Sequence, residues 1–137
     1  MCKDCYPELL EDQQKAFEFL TEKAVKVSKN SYSPYSNYKV GCALITDDGH
    51  IFTGCNVENA SYGLTLCAEC TCIGNMVSNG CKTIRYLVCV DADGNDIAPC
   101  GRCRQIIVEH SDRENSRFSI DGKIYDCEAL LPASFEL

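Results

Sequence analysis

Three cysteines and one glutamate carry the chemistry open to this sequence. Cys67-Ala68-Glu69 supplies a thiol and a carboxylate, and Pro99-Cys100-Gly101-Arg102-Cys103 supplies two more thiols. Thiolates bind zinc, and three protein ligands leave the fourth tetrahedral position for water, which separates a catalytic zinc from a structural one. Glu69 is a poor fourth structural ligand but well suited to moving that water's protons, so the pattern points to metal-assisted hydrolysis.

Cys67 and Cys100 each stand where a helix is predicted to begin. Helix starts carry partial positive charge and unpaired N–H groups, and both lower a thiol's pKa toward the thiolate that zinc requires. Cys103 lies one turn beyond Cys100 and can face the same ion. The competing arrangement pairs Cys67 with Cys70 and Cys100 with Cys103, the spacing of a closed four-cysteine structural zinc. Such sites sit on Gly-rich knuckles, whereas Ala68-Glu69 suits a helix. A fourth thiolate would also fill the water position, so Cys70 is read as a packing residue. Cys2 and Cys5 form another C-x-x-C at the chain end, read as incidental. His50 and His110, the only histidines, stand in polar contexts and are read as surface residues without a partner at ligand spacing.

The elements that must position these groups follow from periodicity. Phe17, Leu20, Ala24 and Val27 line one face of a helix predicted over Leu9 to Ser28. Ser31 to Asn37 is a loop. Tyr38 to Thr46 and His50 to Asn56 flank Asp47-Asp48-Gly49 as a β-hairpin. A helix is expected from Cys67 to Val77, stopped by Asn79-Gly80. Thr83 to Val90 is an apolar strand, Gly101 to about His110 a helix with Ile106 and Ile107 inward, Phe118–Ile120 and Lys123–Tyr125 short strands, and Cys127 to Leu131 a last short helix. Strands separated by helices favour parallel pairing with right-handed crossovers, and the hairpin adds an antiparallel pair. The expected fold is α/β, a mixed sheet covered by helices.

Composition bounds the function. At 137 residues the chain is expected to form one domain, residues 1–137. No apolar run approaches the ~18 residues of a membrane span. Met1-Cys2-Lys3-Asp4-Cys5 lacks the basic and apolar segments of a secretion signal, so a cytoplasmic protein is expected. There, twelve cysteines are reduced thiols and metal ligands rather than a disulfide framework. Cys42, Cys55, Cys81 and Cys89 sit in or beside apolar stretches and read as core fillers. A net charge of −7 disfavours nucleic acid, since a phosphate backbone wants a basic surface. A small neutral or cationic substrate fits better.

The two cysteine motifs, with Gly54-Cys55-Asn56-Val57-Glu58-Asn59-Ala60-Ser61-Tyr62-Gly63, Ser33-Pro34-Tyr35-Ser36 and Leu130-Leu131-Pro132, resemble the small homotetrameric cytidine deaminases over about residues 10 to 135. The zinc motif alone indicates only the deaminase superfamily; the Asn-x-Glu-Asn segment indicates its nucleoside branch. The resemblance implies a three-layer fold with a mixed five-stranded sheet flanked by helices. It also implies hydrolysis of cytidine and 2′-deoxycytidine in pyrimidine salvage. One zinc per chain would be held by Cys67, Cys100 and Cys103, with Glu69 moving protons. It further implies Asn56 and Glu58 on the ribose, Ala68 N–H on the base O2, and Tyr38 where relatives stack a Phe. Tyr62 would join the substrate pocket, and Phe135 would close a neighbouring subunit's site in a homotetramer.

Read from the residues alone, Glu58 in a sugar pocket accepts hydroxyl hydrogen bonds and repels a phosphate. The alternative is that Asn56 and Asn59 are turn residues and Glu58 is solvated surface. One departure stands out: relatives often carry Arg directly after the glutamate, where this chain has Cys70. Three thiolates leave the zinc site negative and its water less acidic, so Arg104 or the two helix starts must compensate. Other readings of the same residues are deamination of a different cytosine nucleoside, including a blasticidin-type antibiotic, and a non-enzymatic zinc module. A nucleic-acid editor conflicts with the acidic charge and short loops.

Overall fold

The computed structural model describes residues 5–137, so Cys2 and its pairing with Cys5 as a C-x-x-C motif lie partly outside the described residues. The chain runs through α1 (Gln13–Ser28), β1 (Val40–Thr46), β2 (Ile51–Cys55), α2 (Ala68–Ser78), β3 (Ile84–Asp91), α3 (Gly101–Glu109), β4 (Arg117–Ile120), β5 (Lys123–Tyr125) and α4 (Cys127–Leu130). The expected first helix begins later than its apolar face suggests. Asp12 accepts from Lys15 N–H at 3.1 Å and caps α1 there, while Pro7–Glu11 winds as a separate 3-10 turn.

The five strands order as β2-β1-β3-β4-β5. The mixed sheet was legible, but its pairing is less parallel than expected. β1 lies antiparallel to both β2 and β3, and only β3 and β4 pair in parallel. The β2–α2–β3 crossover therefore joins two parallel strands with β1 between them.

Alternation along the central strands builds the three layers. Ala43, Ile45, Tyr86, Val88 and Val90 face α1 and pack with Phe17, Leu20 and Ala24. Cys42, Leu44, Leu87 and Cys89 face the other side, against Ile73 and Met76 of α2, Ile107 of α3 and Leu130 of α4. With both faces covered, β1 and β3 read as near-continuous apolar runs. Each large side chain fully buried here contributes about 1.5–3 kcal/mol.

α2 lies close on β2, and its polar side chains bond that strand's carbonyls. Thr71 Oγ1 donates to Cys55 O at 2.7 Å, Asn75 Nδ2 to Thr53 O at 3.2 Å, and the Cys72 thiol to Phe52 O at 3.3 Å. Gly54 permits the approach: a Cβ there would sit 2.7 Å from Cys72 Cα and clash with Cys72 N and Thr71 Oγ1. Gly74, exposed on the same helix, has open space beside it. Gly54→Ala should therefore lower stability by about 1–3 kcal/mol. Gly74→Ala should raise it by about 0.5–1 kcal/mol through helix propensity. Denaturant unfolding of both variants checks this; equal shifts would show that α2 does not depend on the close contact.

Candidate active site

Cys67 and Cys100 are the N-cap residues of α2 and α3, both with extended backbone. The two helix starts meet. Cys67, Cys100 and Cys103 offer sulfurs that all lie within 4.8 Å of one another, with Cys67 Sγ 3.9 Å from Cys100 Sγ. That edge matches the separation of about 3.8 Å between two sulfurs on one tetrahedral zinc, and it is far beyond a disulfide bond of about 2.05 Å. Cys70 Sγ touches Cys103 Sγ at 3.8 Å but does not belong to the converging three. The donor set is thus three soft thiols with one side open, which fits zinc.

The thiols are not equally ready to ionise. Burial pushes the Cys67 thiol up to about 11, reinforced by the neighbouring Cys100 and Glu69 charges. Burial likewise raises Cys103, as do Glu69 and Cys67 beside it. Burial also opposes ionisation of Cys100, but hydrogen bonds from the Cys103 backbone N–H and the Cys103 and Cys67 thiols carry it below the usual range. Without a cation, hydrogen bonds therefore prevail over burial at Cys100, while desolvation prevails at Cys67. A divalent cation among the three sulfurs reverses that balance.

Glu69 is 4% exposed on the first turn of α2. Burial raises its pKa above the ordinary carboxylate range, while its own backbone N–H and the thiols of Cys89 and Cys103 pull partly back. The floor beneath it is made of thiols. Cys42 and Cys89 are register partners on β1 and β3, and Cys42 bonds both Cys89 and Cys72. Cys89 was expected as a core filler, and it is buried; its contact with Glu69 depends on sheet register, which the local sequence does not display. Ala68 is buried at the first position of α2, where the N–H has no acceptor within the helix.

Arg104, a candidate to offset thiolate charge, is directed elsewhere. Its Nε donates to Pro99 O at 2.9 Å and its Nη1 to Leu130 O at 3.1 Å. It thereby braces the segment entering Cys100, and the charge on the thiols is left to the helix starts. Arg102 Nη1 donates to Thr65 O at 3.3 Å and ties α3 to the loop entering Cys67.

Asn56 and Glu58 are neither turn residues alone nor plain surface. Asn56 is buried, and its Oδ1 accepts from Val40 N–H at 3.0 Å and from Ser31 Oγ, while Nδ2 donates to Tyr38 O at 2.9 Å. Both Oδ1 lone pairs are taken, and one amide N–H remains. Glu58 Oε1 accepts from the backbone N–H groups of Tyr35 and Ser36 at 3.0 and 3.1 Å, and Oε2 accepts from Ser36 Oγ. These bonds, led by the Ser36 hydroxyl, hold its carboxyl below the usual range. One Oε2 lone pair remains. Ser31 and Ser36 are the partners that sequence reasoning did not single out.

Tyr35, Ser36, Glu58, Asn59, Tyr62 and Thr65 line a cavity of about 390 Å³. Tyr62 is 79% exposed and meets the Tyr35 ring edge-on at 6.4 Å. Tyr38 is exposed, its hydroxyl donating to Asp91 Oδ2 at 3.4 Å. Phe135 is also exposed, its carbonyl held by Gln105 Nε2 at 3.2 Å. A larger cavity of about 660 Å³, between α1 and the β4–β5 edge, is lined by Gln13, Phe17, Glu18 and Ile124 among others and holds no thiol or imidazole. Size does not locate the chemistry here; the converging thiols and the buried carboxyl do.

Comparison with known proteins gives the family. The family profile of the cytidine and deoxycytidylate deaminase zinc-binding region matches residues 14–116, which include all three converging thiols. A cytidine deaminase of Mycobacterium tuberculosis (strain ATCC 25618 / H37Rv) is 47% identical over 98 residues, 72% of this chain and 74% of the relative. A probable cytidine deaminase of Dictyostelium discoideum is 48% identical over 99 residues, 68% of this chain and 67% of the relative. The crystal structure of cytidine deaminase from Mycobacterium tuberculosis aligns with a TM-score of 0.84 at 42% identity, covering 88% of this chain and 98% of that one. The cytidine deaminase structure from Mycobacterium leprae gives 0.81 at 43% identity, covering 85% and 97%. This chain belongs to the cytidine and deoxycytidylate deaminase family.

Proposed function

We infer that the chain deaminates cytidine and 2′-deoxycytidine hydrolytically to uridine and 2′-deoxyuridine, releasing ammonia, as a cytoplasmic enzyme of pyrimidine salvage. Residues 1–137 act as one domain. The observation that carries this reading is a buried Glu69, its carboxyl pKa raised by that burial, beside three converging thiols in a chain of the deaminase family.

Cys67, Cys100 and Cys103 would hold one zinc ion at this centre, and zinc so held would supply the Lewis acidity that makes a hydrolytic water reactive near neutral pH. Glu69 takes that water's proton as the oxygen adds to C4 of the cytosine ring. It passes that proton to N3, then takes the remaining proton from the new C4 hydroxyl and gives it to the departing amine, which leaves as ammonia as the C4 carbonyl forms. A raised carboxyl pKa suits transfer in both directions. The Ala68 N–H donates to the base O2, and Tyr38 and Tyr62 contribute ring surface around the base. The remaining Asn56 N–H and the remaining Glu58 lone pair hold the sugar hydroxyls, chiefly the 3′. Because Glu58 stays ionised, a phosphate beside it is repelled, which favours free nucleosides over nucleotides and polynucleotides. Exposed Phe135 closes a neighbouring subunit's site in a homotetramer.

Incubating the protein with cytidine and following ultraviolet absorbance tests the activity directly. Glu69→Gln should lower kcat by roughly 10²–10⁴-fold with bound zinc unchanged; unaltered turnover would remove Glu69 from the mechanism. Glu58→Ala should raise KM for cytidine by roughly 10-fold or more, the loss of about 1–3 kcal/mol of pairing. Its folded-state pKa lies below the unfolded value, so the clamp by Tyr35 and Ser36 is complete above the unfolded pKa of about 4.3 and is lost as pH falls through the depressed folded value. KM should therefore stay flat from about pH 5 to 8 on Glu58's account; a titration inside that window would contradict the clamp. Light scattering should give four times the chain mass of 15.2 kDa. A fully active monomer would overturn the shared site.

A further inference from the structure

A second group of side chains converges as metal ligands do. Asp48 in the β1–β2 turn, His50 beside it and Cys81 after α2 offer an oxygen, a nitrogen and a sulfur that all lie within 4.8 Å of one another. His50 Nδ1 is 3.1 Å from Asp48 Oδ1 and 3.6 Å from Cys81 Sγ. His50 is thus half-buried among partners, and the expectation of a partnerless surface histidine is wrong; Asp48 is two residues away, but Cys81 comes from a distant loop.

The distances suit a shared ion. Tetrahedral zinc with bonds of about 2.3 Å to sulfur and about 2.0–2.1 Å to nitrogen and oxygen sets its sulfur about 3.6 Å, and its oxygen about 3.4 Å, from the nitrogen. A His–Asp pair alone accounts for the first contact but not for a thiol on the same ring nitrogen. Backbone geometry holds the donors in place. His50 N–H donates to Thr46 Oγ1 at 2.9 Å, and that hydroxyl also bonds Asp48. Gly49 between them has φ 90°, which a side chain would strain. Cys81 N–H donates to Met76 O at 3.1 Å and closes the end of α2.

The N-terminal segment joins the same place. Cys5 forms an antiparallel bridge with His50, and Tyr6 N–H donates to Gly49 O at 2.7 Å. Residues directly opposed in such a pair have Cβ atoms about 4.5–5.5 Å apart on one face, so the Cys5 and His50 side chains share a face, with the Cys5 sulfur outside the group of three donors. The mixed sulfur, nitrogen and carboxylate set selects zinc-like ions over magnesium or calcium.

We propose that Asp48, His50 and Cys81 form a second, structural zinc site, with the Cys5 thiol available to close it, that fastens the N-terminal segment to the β1–β2 turn and the α2–β3 loop. It is separate from the Glu69 centre and does not depend on the deaminase reading.

Metal content of the full chain, stripped by chelator and reloaded with zinc, tests the site. The unaltered chain should hold about two ions, and His50→Ala and Cys81→Ser should each hold about one while keeping cytidine turnover. Cobalt(II) loading should give a thiolate-to-metal absorption band that weakens in Cys81→Ser. If Cys81→Ser does not fold, His50→Ala and the stoichiometry of the unaltered chain still decide. A metal content that is the same in His50→Ala as in the unaltered chain, whether one ion or two, overturns the proposal.

Discussion

The molecule is organised around a constraint of charge: three thiols and a carboxyl are gathered where burial makes each of them reluctant to ionise. Cys67 and Cys103 are raised by desolvation and by one another, and Glu69 is raised by the same burial. Such a cluster is unfavourable until a cation shares it. Two helix starts are the fold's contribution to that balance, because their partial positive charge is fixed in direction and needs no side chain. Arg104 does not take that role; it holds the carbonyl before Cys100 and so keeps the start of α3 in place.

Everything that brings α2 and α3 together serves that point. α2 sits on β2 because Gly54 lets the backbones close and because Thr71, Cys72 and Asn75 bond the strand's carbonyls. β1 and β3 supply a floor of thiols, Cys42 and Cys89, instead of bulkier aliphatic groups. A thiol is small and apolar enough to fill a core yet can donate weakly to Glu69, so part of the cysteine richness of this chain has a local physical reason. The Asn56 and Glu58 side is built differently. Asn56 and Glu58 are each mostly engaged by the protein, and the few hydrogen-bonding positions left over are already aimed, which limits the ordering that a ligand would require.

Much of this was legible from residue types and spacing. The convergence of Cys67, Cys100 and Cys103, the hairpin and the four α-helices were readable, because they rest on motif spacing and on periods of two and 3.6. The start of α1 was misplaced because Leu9 extends the apolar pattern while Asp12 ends it with a cap. The antiparallel β1–β3 pairing was missed because crossover rules concern parallel strands and do not reveal which strand is inserted between them. Contacts between residues well separated in sequence were invisible for the same reason: Cys89 under Glu69, Cys81 against His50, and Ser36 on Glu58 are set by tertiary placement. A helix-start argument counts the dipole and omits the burial that, without a cation, opposes ionisation of Cys67.

The coordination of the ion beside Glu69 bears most directly on this account. Crystals of the zinc-loaded protein, with anomalous scattering measured at the zinc edge, should place one ion on the sulfurs of Cys67, Cys100 and Cys103 and one oxygen from solvent within hydrogen-bond reach of the Glu69 carboxyl. An ion that also takes the Cys70 sulfur, leaving no position for solvent, would contradict it.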